Sequence, residues 1–250
     1  MTEPVDFPEE PAELAASAPE TRGDEPVYAV GIGPGNTEFL TRRGARAIGE
    51  ADVVVGFETV VDFVREEIDG EVLTCGYRDE PEVLAKFAER VADGATGTAV
   101  LMGDPNHSGY QFVGKVEAAI EAADVNRPVE VVPGISSLQI AASRARTPME
   151  ETTFVTLHKS GPIESDLQRL ERDVGERNLL VLPRPYDWMP ERIAHRLLES
   201  GAPDCETLVL ERLTHPDESI TRTSLSALAA DIDSKEATAF SDLSVLAVRR

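Results

Sequence analysis

Three short glycine-containing segments hold the residues best suited to bind a small polar ligand. Each follows a β-branched run: GIGPGN (residues 31–36) follows VYAVG, GDPNHSG (103–109) follows TAVLM, and PGISS (133–137) follows VEVV. Glycine lets the backbone approach a ligand closely, so its N–H and C=O groups can contact the ligand directly. One such loop is often a simple tight turn. Three loops after parallel strands predict a shared binding edge.

The first loop does not fit a nicotinamide-binding fingerprint. Asn36 stands where the third glycine of GxGxxG belongs, and Pro34 lies inside the turn. The acidic residue expected at the end of the second strand is also absent, since Asp52 precedes that strand and Phe57 ends it. These differences argue against a dehydrogenase.

Two series of apolar strands alternate with amphipathic helices and must position these loops. The predicted strands cover 27–31, 52–56, 98–102, 129–134, 154–158, 179–183, 207–211 and 243–248. The predicted helices cover 81–93, 109–124, 164–174 and 190–200. In the first series, up to residue 134, apolar strands joined by crossover helices indicate a parallel sheet covered on both faces. We therefore predict an α/β fold with two α/β domains, 27–133 and 134–250.

Residues 1–26 differ from the rest in composition. They include eight acidic residues, five prolines and few apolar side chains. Such a segment buries too little surface to offset its ordering entropy, so we expect a disordered acidic tail.

The formal charge is −22, from 24 basic and 46 acidic residues. It bears on the solution conditions in which the protein works more than on its activity. An acidic surface repels phosphate backbones, so we expect no nucleic-acid partner. The acidic residues spread over the whole chain, and four of the basic residues are Lys against twenty Arg. Adaptation to a high-salt cytoplasm is our hypothesis, and an ordinary acidic soluble protein is the alternative.

The sequence also bears on location and metal content. No run of about twenty apolar residues occurs and the N-terminus lacks a signal-peptide pattern, so we expect no membrane span and a cytoplasmic location. Cys75 and Cys205 have no CxxC or CxxH pairing, which favours reduced thiols over a disulfide. We predict no protein-bound metal because no metal-ligand spacing appears among His107, His158, His195 and His215.

These motifs resemble the tetrapyrrole methylase family, methyltransferases of class III built from two α/β domains around a cofactor cleft. The likeness covers residues 27–250. The matching segments are GIGPG (31–35), ADVVVG (51–56), GDP (103–105), VVPGISS (131–137) and ERLTHPDE (211–218). Further segments resemble the carbon-5 methyltransferases of cobalamin biosynthesis, which act on cobalt-precorrin-7 or precorrin-6Y. They are 133–158, 190–201 and 240–250.

The resemblance implies S-adenosylmethionine as the cofactor and assigns its binding residues. They are Gly33, Pro34, Gly35, Gly103, Asp104, His107, Ser136, Ser137, Pro183 and Leu213. Pro183 and Leu213 would pack near the adenine, and the glycine loops would face the polar groups. Asp104 has the alternative role of a helix N-cap or turn former.

His158, Lys159 and Arg184 are the candidates for contact with a precorrin macrocycle. His158 is either a packed histidine at a strand end or a group that orients a ring carboxylate or removes a proton. Lys159 and Arg184 suit the carboxylates of the substrate. Two positions depart from the carbon-5 pattern: Ser108 replaces an aromatic residue, and HKS at 158–160 replaces His-Gly-Arg.

The resemblance further implies a homodimer that methylates carbon 5, with a separate protein for the carbon-15 methylation and decarboxylation. Three alternatives remain open at this stage. They are methylation at another ring position, a ribosomal-RNA or diphthamide methyltransferase of the same fold, and a nucleotide-binding module without turnover.

Overall fold

The eight predicted strands are all present in the computed structural model, which describes residues 25–107, 109–233 and 238–250. Their ends differ from the prediction by two residues at most. The proposed tail lies outside the described residues up to position 24. Glu25 is described, and its carboxylate lies 2.9 Å from Nη2 of Arg127.

The chain divides into two compact units, with the boundary between Ser136 and Ser137. The first unit contains, in chain order, β1 (Val27–Gly31), α1 (Arg42–Gly49), β2 (Val53–Phe57), α2 (Glu58–Phe63), β3 (Glu71–Cys75), α3 (Glu80–Ala92), β4 (Gly97–Leu101), α4 (Tyr110–Ala122) and β5 (Val129–Val132). The second contains α5 (Ser137–Ala145), β6 (Thr152–Thr156), α6 (Glu164–Asp173), β7 (Asn178–Leu182), α7 (Pro190–Glu199), β8 (Glu206–Glu211), β9 (Ser219–Ser224), α8 (Leu225–Ala230) and β10 (Ser244–Val248).

The sheet of the first unit is parallel, as predicted, in the order β3-β2-β4-β1-β5. Its central strands are buried on both faces: Val53, Val54 and Val55 of β2 are each at most 1% exposed. Helices α3 and α4 pack on one face around Phe87. The other face packs around Ile48 of α1. Strands β4, β1 and β5 are neighbours, so the three glycine loops start from adjacent strands.

The sheet of the second unit is mixed, in the order β6-β7-β10-β8-β9. Strands β6 and β7 are parallel, whereas β10 runs antiparallel to both β7 and β8. Its core packs around Leu179, Leu197 and Leu246, all of which are buried. Because β8 therefore runs in the direction of β6 and β7, these three strands end at the same edge.

The sequence did not predict β3 and β9, which are edge strands. β9 (SITRTS) has four exposed residues and no apolar alternation, and β3 is exposed at its first residue. No helix among the described residues is long and apolar enough to cross a membrane.

Candidate functional site

The first two glycine loops are joined by a pair of backbone hydrogen bonds. The N–H of Gly33 donates to the carbonyl oxygen of Gly103 (3.2 Å), and the N–H of Gly103 donates to that of Gly33 (2.8 Å). Both residues are left-handed, with φ of +83° and +66°. Glycine adopts this conformation without steric strain. These two N–H groups therefore hold the loops to each other.

The third loop meets the other two at a close backbone approach. A Cβ atom built on Gly134 would lie 2.1 Å from the oxygen of Gly103 and 2.6 Å from that of Gly31. A Cβ atom on Gly31 would lie 2.6 Å from the oxygen of Gly103. Residues with side chains cannot occupy these positions without displacing the loops. The predicted convergence of the three loops is thus present, and we call residues 31–35, 103–107 and 133–136 the glycine cradle.

Asp104 connects the second loop to the third. Its side chain is 7% exposed, Oδ2 accepts from the N–H of Gly134 (3.1 Å), and Oδ1 accepts from that of Asn106 (2.9 Å). Its own carbonyl accepts from the N–H of His107 (3.0 Å). The turn-forming role that the sequence left open is therefore observed. Direct contact of Asp104 with a ligand stays a prediction.

The cradle has features that fit a polar ligand. Among the described residues outside its own peptide neighbours, a Cβ atom on Gly103 would find one heavy atom within 4 Å, the Cα of Ser136 at 3.8 Å. The Nδ1 atom of His107 is buried, and no described residue forms a hydrogen bond with it. Leaving a buried polar nitrogen unpaired costs about 1–3 kcal/mol. A ligand with a polar group within hydrogen-bonding distance of Nδ1 would remove that penalty.

The remaining predicted residues of these loops are mostly shielded from solvent. Pro34 is buried, Gly35 is half-buried with φ of +108°, and Ser136 is 2% exposed. Ser137 belongs to the second unit, where it is the first residue of α5.

In the second unit, the other predicted site residues lie at the edge where β6, β7 and β8 end. His158 and Lys159 follow β6, Pro183 and Arg184 follow β7, and Leu213 follows β8. Pro183 and Leu213 are buried, the latter at 4% exposure. These residues lie at one edge because each follows a strand whose end the sequence predicted to within two residues, and their contact with a ligand stays a prediction.

His158 has an electrostatic setting that the sequence did not reveal. Solvent reaches its ring, yet the surrounding protein desolvates it enough to lower the pKa of the imidazole. The nearby carboxylate of Asp242, which precedes β10, acts in the opposite direction and raises that pKa. Because desolvation is the larger effect, the imidazole is neutral at neutral pH and can accept a proton.

Both predicted substrate cations are paired within their own unit. Nζ of Lys159 lies 2.7 Å from Oδ2 of Asp166. Arg184 binds Asp187 with two hydrogen bonds, of 2.8 Å from Nε and 2.6 Å from Nη2. Asp166 and Asp187 were not predicted, and no sequence signal would have separated them from the other acidic residues.

Arg184 also has a structural function in its loop. Its backbone pairs with Trp188 in both directions, at 3.1 and 3.0 Å, which closes a tight hairpin. Within that hairpin Tyr186 is 97% exposed and has φ of +73°. The bidentate pair with Asp187 therefore fixes a strained loop.

The described residues contain no group of three or more His, Cys, Asp and Glu side chains that could hold a metal ion.

Comparison with known proteins identifies the class of protein that carries this fold and cradle. Residues 26–229 match the sequence profile of the Tetrapyrrole (Corrin/Porphyrin) Methylases. A probable cobalt-precorrin-7 C(5)-methyltransferase of Methanocaldococcus jannaschii is 30% identical over 206 residues, which are 81% of this chain and 91% of the relative.

Solved structures share the fold. A cobalt-precorrin-4 methyltransferase of cobalamin biosynthesis superposes with a TM-score of 0.71 at 20% identity, over 98% of each chain. A uroporphyrin-III C-methyltransferase from Thermus thermophilus, solved with S-adenosylhomocysteine, has a TM-score of 0.69 at 24% identity, over 90% of this chain and 92% of that one.

The chain belongs to the tetrapyrrole methylase family and is an S-adenosylmethionine-dependent methyltransferase.

Proposed function

We propose that this chain methylates carbon 5 of cobalt-precorrin-7, or of a precorrin-6Y-type substrate, in cobalamin biosynthesis. The observation that carries the substrate assignment is the 30% identity to the Methanocaldococcus protein over 91% of that protein's length. The geometry of the glycine cradle supports the cofactor part of the proposal. Methylation at another ring position, such as that of the cobalt-precorrin-4 enzyme, is the second candidate, because that enzyme shares the fold over the whole chain.

The cradle suits S-adenosylmethionine by the close backbone approach of its glycines and by Nδ1 of His107, which is buried and has no hydrogen-bond partner among the described residues. The residues that would hold the cofactor are Gly33, Pro34, Gly35, Gly103, Asp104, His107, Ser136, Ser137, Pro183 and Leu213. His107 Nδ1 would meet a polar group of the ligand. Asp104 would act chiefly by fixing the loops, since both of its oxygens already accept backbone hydrogen bonds.

When bound, S-adenosylmethionine supplies an electrophilic methyl group that a nucleophilic ring carbon of the macrocycle can take. The protein then contributes orientation and exclusion of water, which together can supply roughly 7–11 kcal/mol. The backbone bonds between Gly33 and Gly103 keep the cradle rigid, and rigidity is what orientation requires. No nucleophilic side chain is needed for this chemistry.

His158 is our candidate for the group that accepts the proton leaving the methylated ring carbon. A neutral imidazole accepts a proton at Nδ1 or Nε2, and desolvation favours that neutral form. Lys159 and Arg184 are our candidates for binding the carboxylates of the macrocycle. Those carboxylates would compete with Asp166 and Asp187 for the two cations.

The test uses an isotope label to locate the ring carbon that receives the methyl group. Purified protein is incubated with cobalt-precorrin-7 and S-adenosylmethionine carrying a ¹³C-methyl group, and parallel reactions contain cobalt-precorrin-4 or no macrocycle. We expect one added methyl group, no loss of carbon dioxide, and a label that NMR places on carbon 5. Label at another ring carbon would support the second candidate. Binding of S-adenosylhomocysteine without any transfer would identify a module without turnover.

Five further features belong to the proposal. The domains would be 27–133 and 134–250, and the protein would form a homodimer. A separate protein would perform the carbon-15 methylation and decarboxylation, since the name of the Methanocaldococcus relative covers the C(5) step alone. A cytoplasmic location is consistent with Cys75 and Cys205, which are both buried free thiols. The high-salt hypothesis rests on the charge of −22.

A further inference from the structure

The loop that follows β8 is held in an unfavourable backbone conformation. Arg212 and Thr214 have φ of +48° and +72°, which non-glycine residues rarely adopt. Between them, Leu213 is 4% exposed, so its side chain is kept inside the protein. Two strained residues on either side of one buried residue persist only where surrounding contacts fix them.

One carboxylate provides several of the contacts that fix this loop, and Arg212 is held separately by Asp217 and by the carbonyl oxygen of Leu243. Oε2 of Glu218 accepts from the N–H of Thr214 (2.7 Å). The guanidinium of Arg144 donates to both oxygens of Glu218, at 2.7 Å from Nε and 3.3 Å from Nη2. The side chain of Glu218 is 22% exposed, and these hydrogen bonds lower the pKa of its carboxyl, so it is ionised at neutral pH.

The same carboxylate links the loop to helix α5. Arg144 lies in the last turn of that helix, whose first residue is Ser137. Helix α5 packs on β7 and β10 of the same sheet, which holds its two ends at fixed positions along one element. Glu218 thus connects two segments that carry predicted cofactor contacts of this unit, Ser137 and Leu213.

We propose that Glu218 is a positioning residue for cofactor binding: it holds Leu213 and helix α5 in place without touching the cofactor. This inference rests on the proposed function, since it takes Leu213 and Ser137 as cofactor contacts. Glutamate is the side chain that suits this position. Glutamine would direct an NH₂ group at a donor, and aspartate is one methylene shorter.

The test compares Glu218→Gln with Glu206→Gln. Glu206 is a matched control because it begins β8, the strand that precedes this loop, and binds two arginines, Arg222 at 3.4 Å and Arg249 at 2.5 Å. Calorimetry with S-adenosylhomocysteine measures affinity, and steady-state kinetics measures KM for S-adenosylmethionine and kcat. The wild-type protein tests the proposed function in the same series, because wild type that binds no S-adenosylhomocysteine contradicts that function.

We expect Glu218→Gln to raise the Kd and this KM about tenfold, as loss of a hydrogen bond to a charged group does, with kcat retained at saturating cofactor. Glu206→Gln should leave both constants unchanged. A role confined to folding would instead lower the active fraction and hence kcat, with KM unchanged. That result, or wild-type affinity in Glu218→Gln, would overturn the inference.

A second substitution tests the role of strain. Asparagine tolerates the left-handed conformation better than threonine does, so Thr214→Asn in the Glu218→Gln background should recover part of the lost affinity. Absence of recovery would mean that Glu218 acts by direct contact, against the proposal. If Glu218→Gln does not fold, Arg144→Lys replaces it, since it removes the bidentate contact and keeps the bond to Thr214. Wild-type affinity in Arg144→Lys would then count against the proposal.

Discussion

The two units hold the loops at their sheet edges by different means. In the first unit, glycine backbones meet directly, as where Gly33 and Gly103 exchange two hydrogen bonds. In the second unit, ion pairs brace non-glycine loops in left-handed conformations, as where Arg184 and Asp187 close the hairpin around Tyr186. Where the glycine backbones meet, at Gly31 and Gly134, the cradle leaves no room for a side chain, whereas a braced loop accommodates side chains but depends on its partner charge.

The largest effect is expected from Gly134→Ala. Its Cβ atom would lie 2.1 Å from the oxygen of Gly103, so the loops must separate. We expect a loss of more than about 3 kcal/mol in the free energy of unfolding, measured by urea denaturation, and loss of S-adenosylhomocysteine binding. Gly94→Ala is the control: it has φ of +102° and open space around a Cβ atom. Strain alone should cost it about 1–2 kcal/mol. Equal losses in the two variants would show that close packing is not what the cradle needs.

Asp104→Ala should have the next largest effect on the free energy of unfolding. It leaves the N–H groups of Gly134 and Asn106 without their charged acceptor in a buried place, which should cost about 2–3 kcal/mol. Asp79→Ala is the matched control, because the exposed Asp79 accepts from the N–H of Gly76 at 2.7 Å. Water replaces that bond, so we expect less than about 1 kcal/mol. A similarly small loss of stability in Asp104→Ala would show that Asp104 does not join the loops.

His158→Gln tests whether a side chain of the second unit accepts a proton during the reaction. If the imidazole accepts the proton, kcat should fall by about 10²-fold. Because desolvation by the surrounding protein lowers the pKa of His158, the acidic limb of kcat/KM in the wild type should lie below pH 6.5, and the variant should lack that limb. For the same reason His158 destabilises the folded state as the pH falls below 6.5, since the unfolded chain binds the proton more tightly. An acidic limb that persists in the variant would assign the proton to another group.

The smallest effect on stability is expected from the brace of Arg184. Arg184→Gln and Asp187→Asn each remove a partly exposed pair, worth about 0–1 kcal/mol. They should differ in kinetics. Arg184→Gln should raise KM for the macrocycle several-fold, whereas Asp187→Asn should leave KM equal or lower, because it frees the guanidinium. Equal increases in KM would show that Arg184 acts only as a brace.

Local patterns in the sequence predicted most of the secondary structure. β-branched runs and amphipathic segments located eight strands, because these patterns depend on neighbours along the chain. β9 was missed because its six residues SITRTS are mostly exposed and have no apolar periodicity. The direction of β10, antiparallel to β7, was not predictable because a buried apolar run reads the same in either direction.

What the sequence determined by itself was the set of glycine loops and their convergence. The positions of Gly31, Gly103 and Gly134 after parallel strands were sufficient, because parallel strands end at one edge. The tertiary structure alone decided which charges meet. Arg144 and Glu218, for example, are 74 residues apart along the chain. Charge pairing depends on distances in space of about 4 Å, which composition and spacing along the chain do not specify.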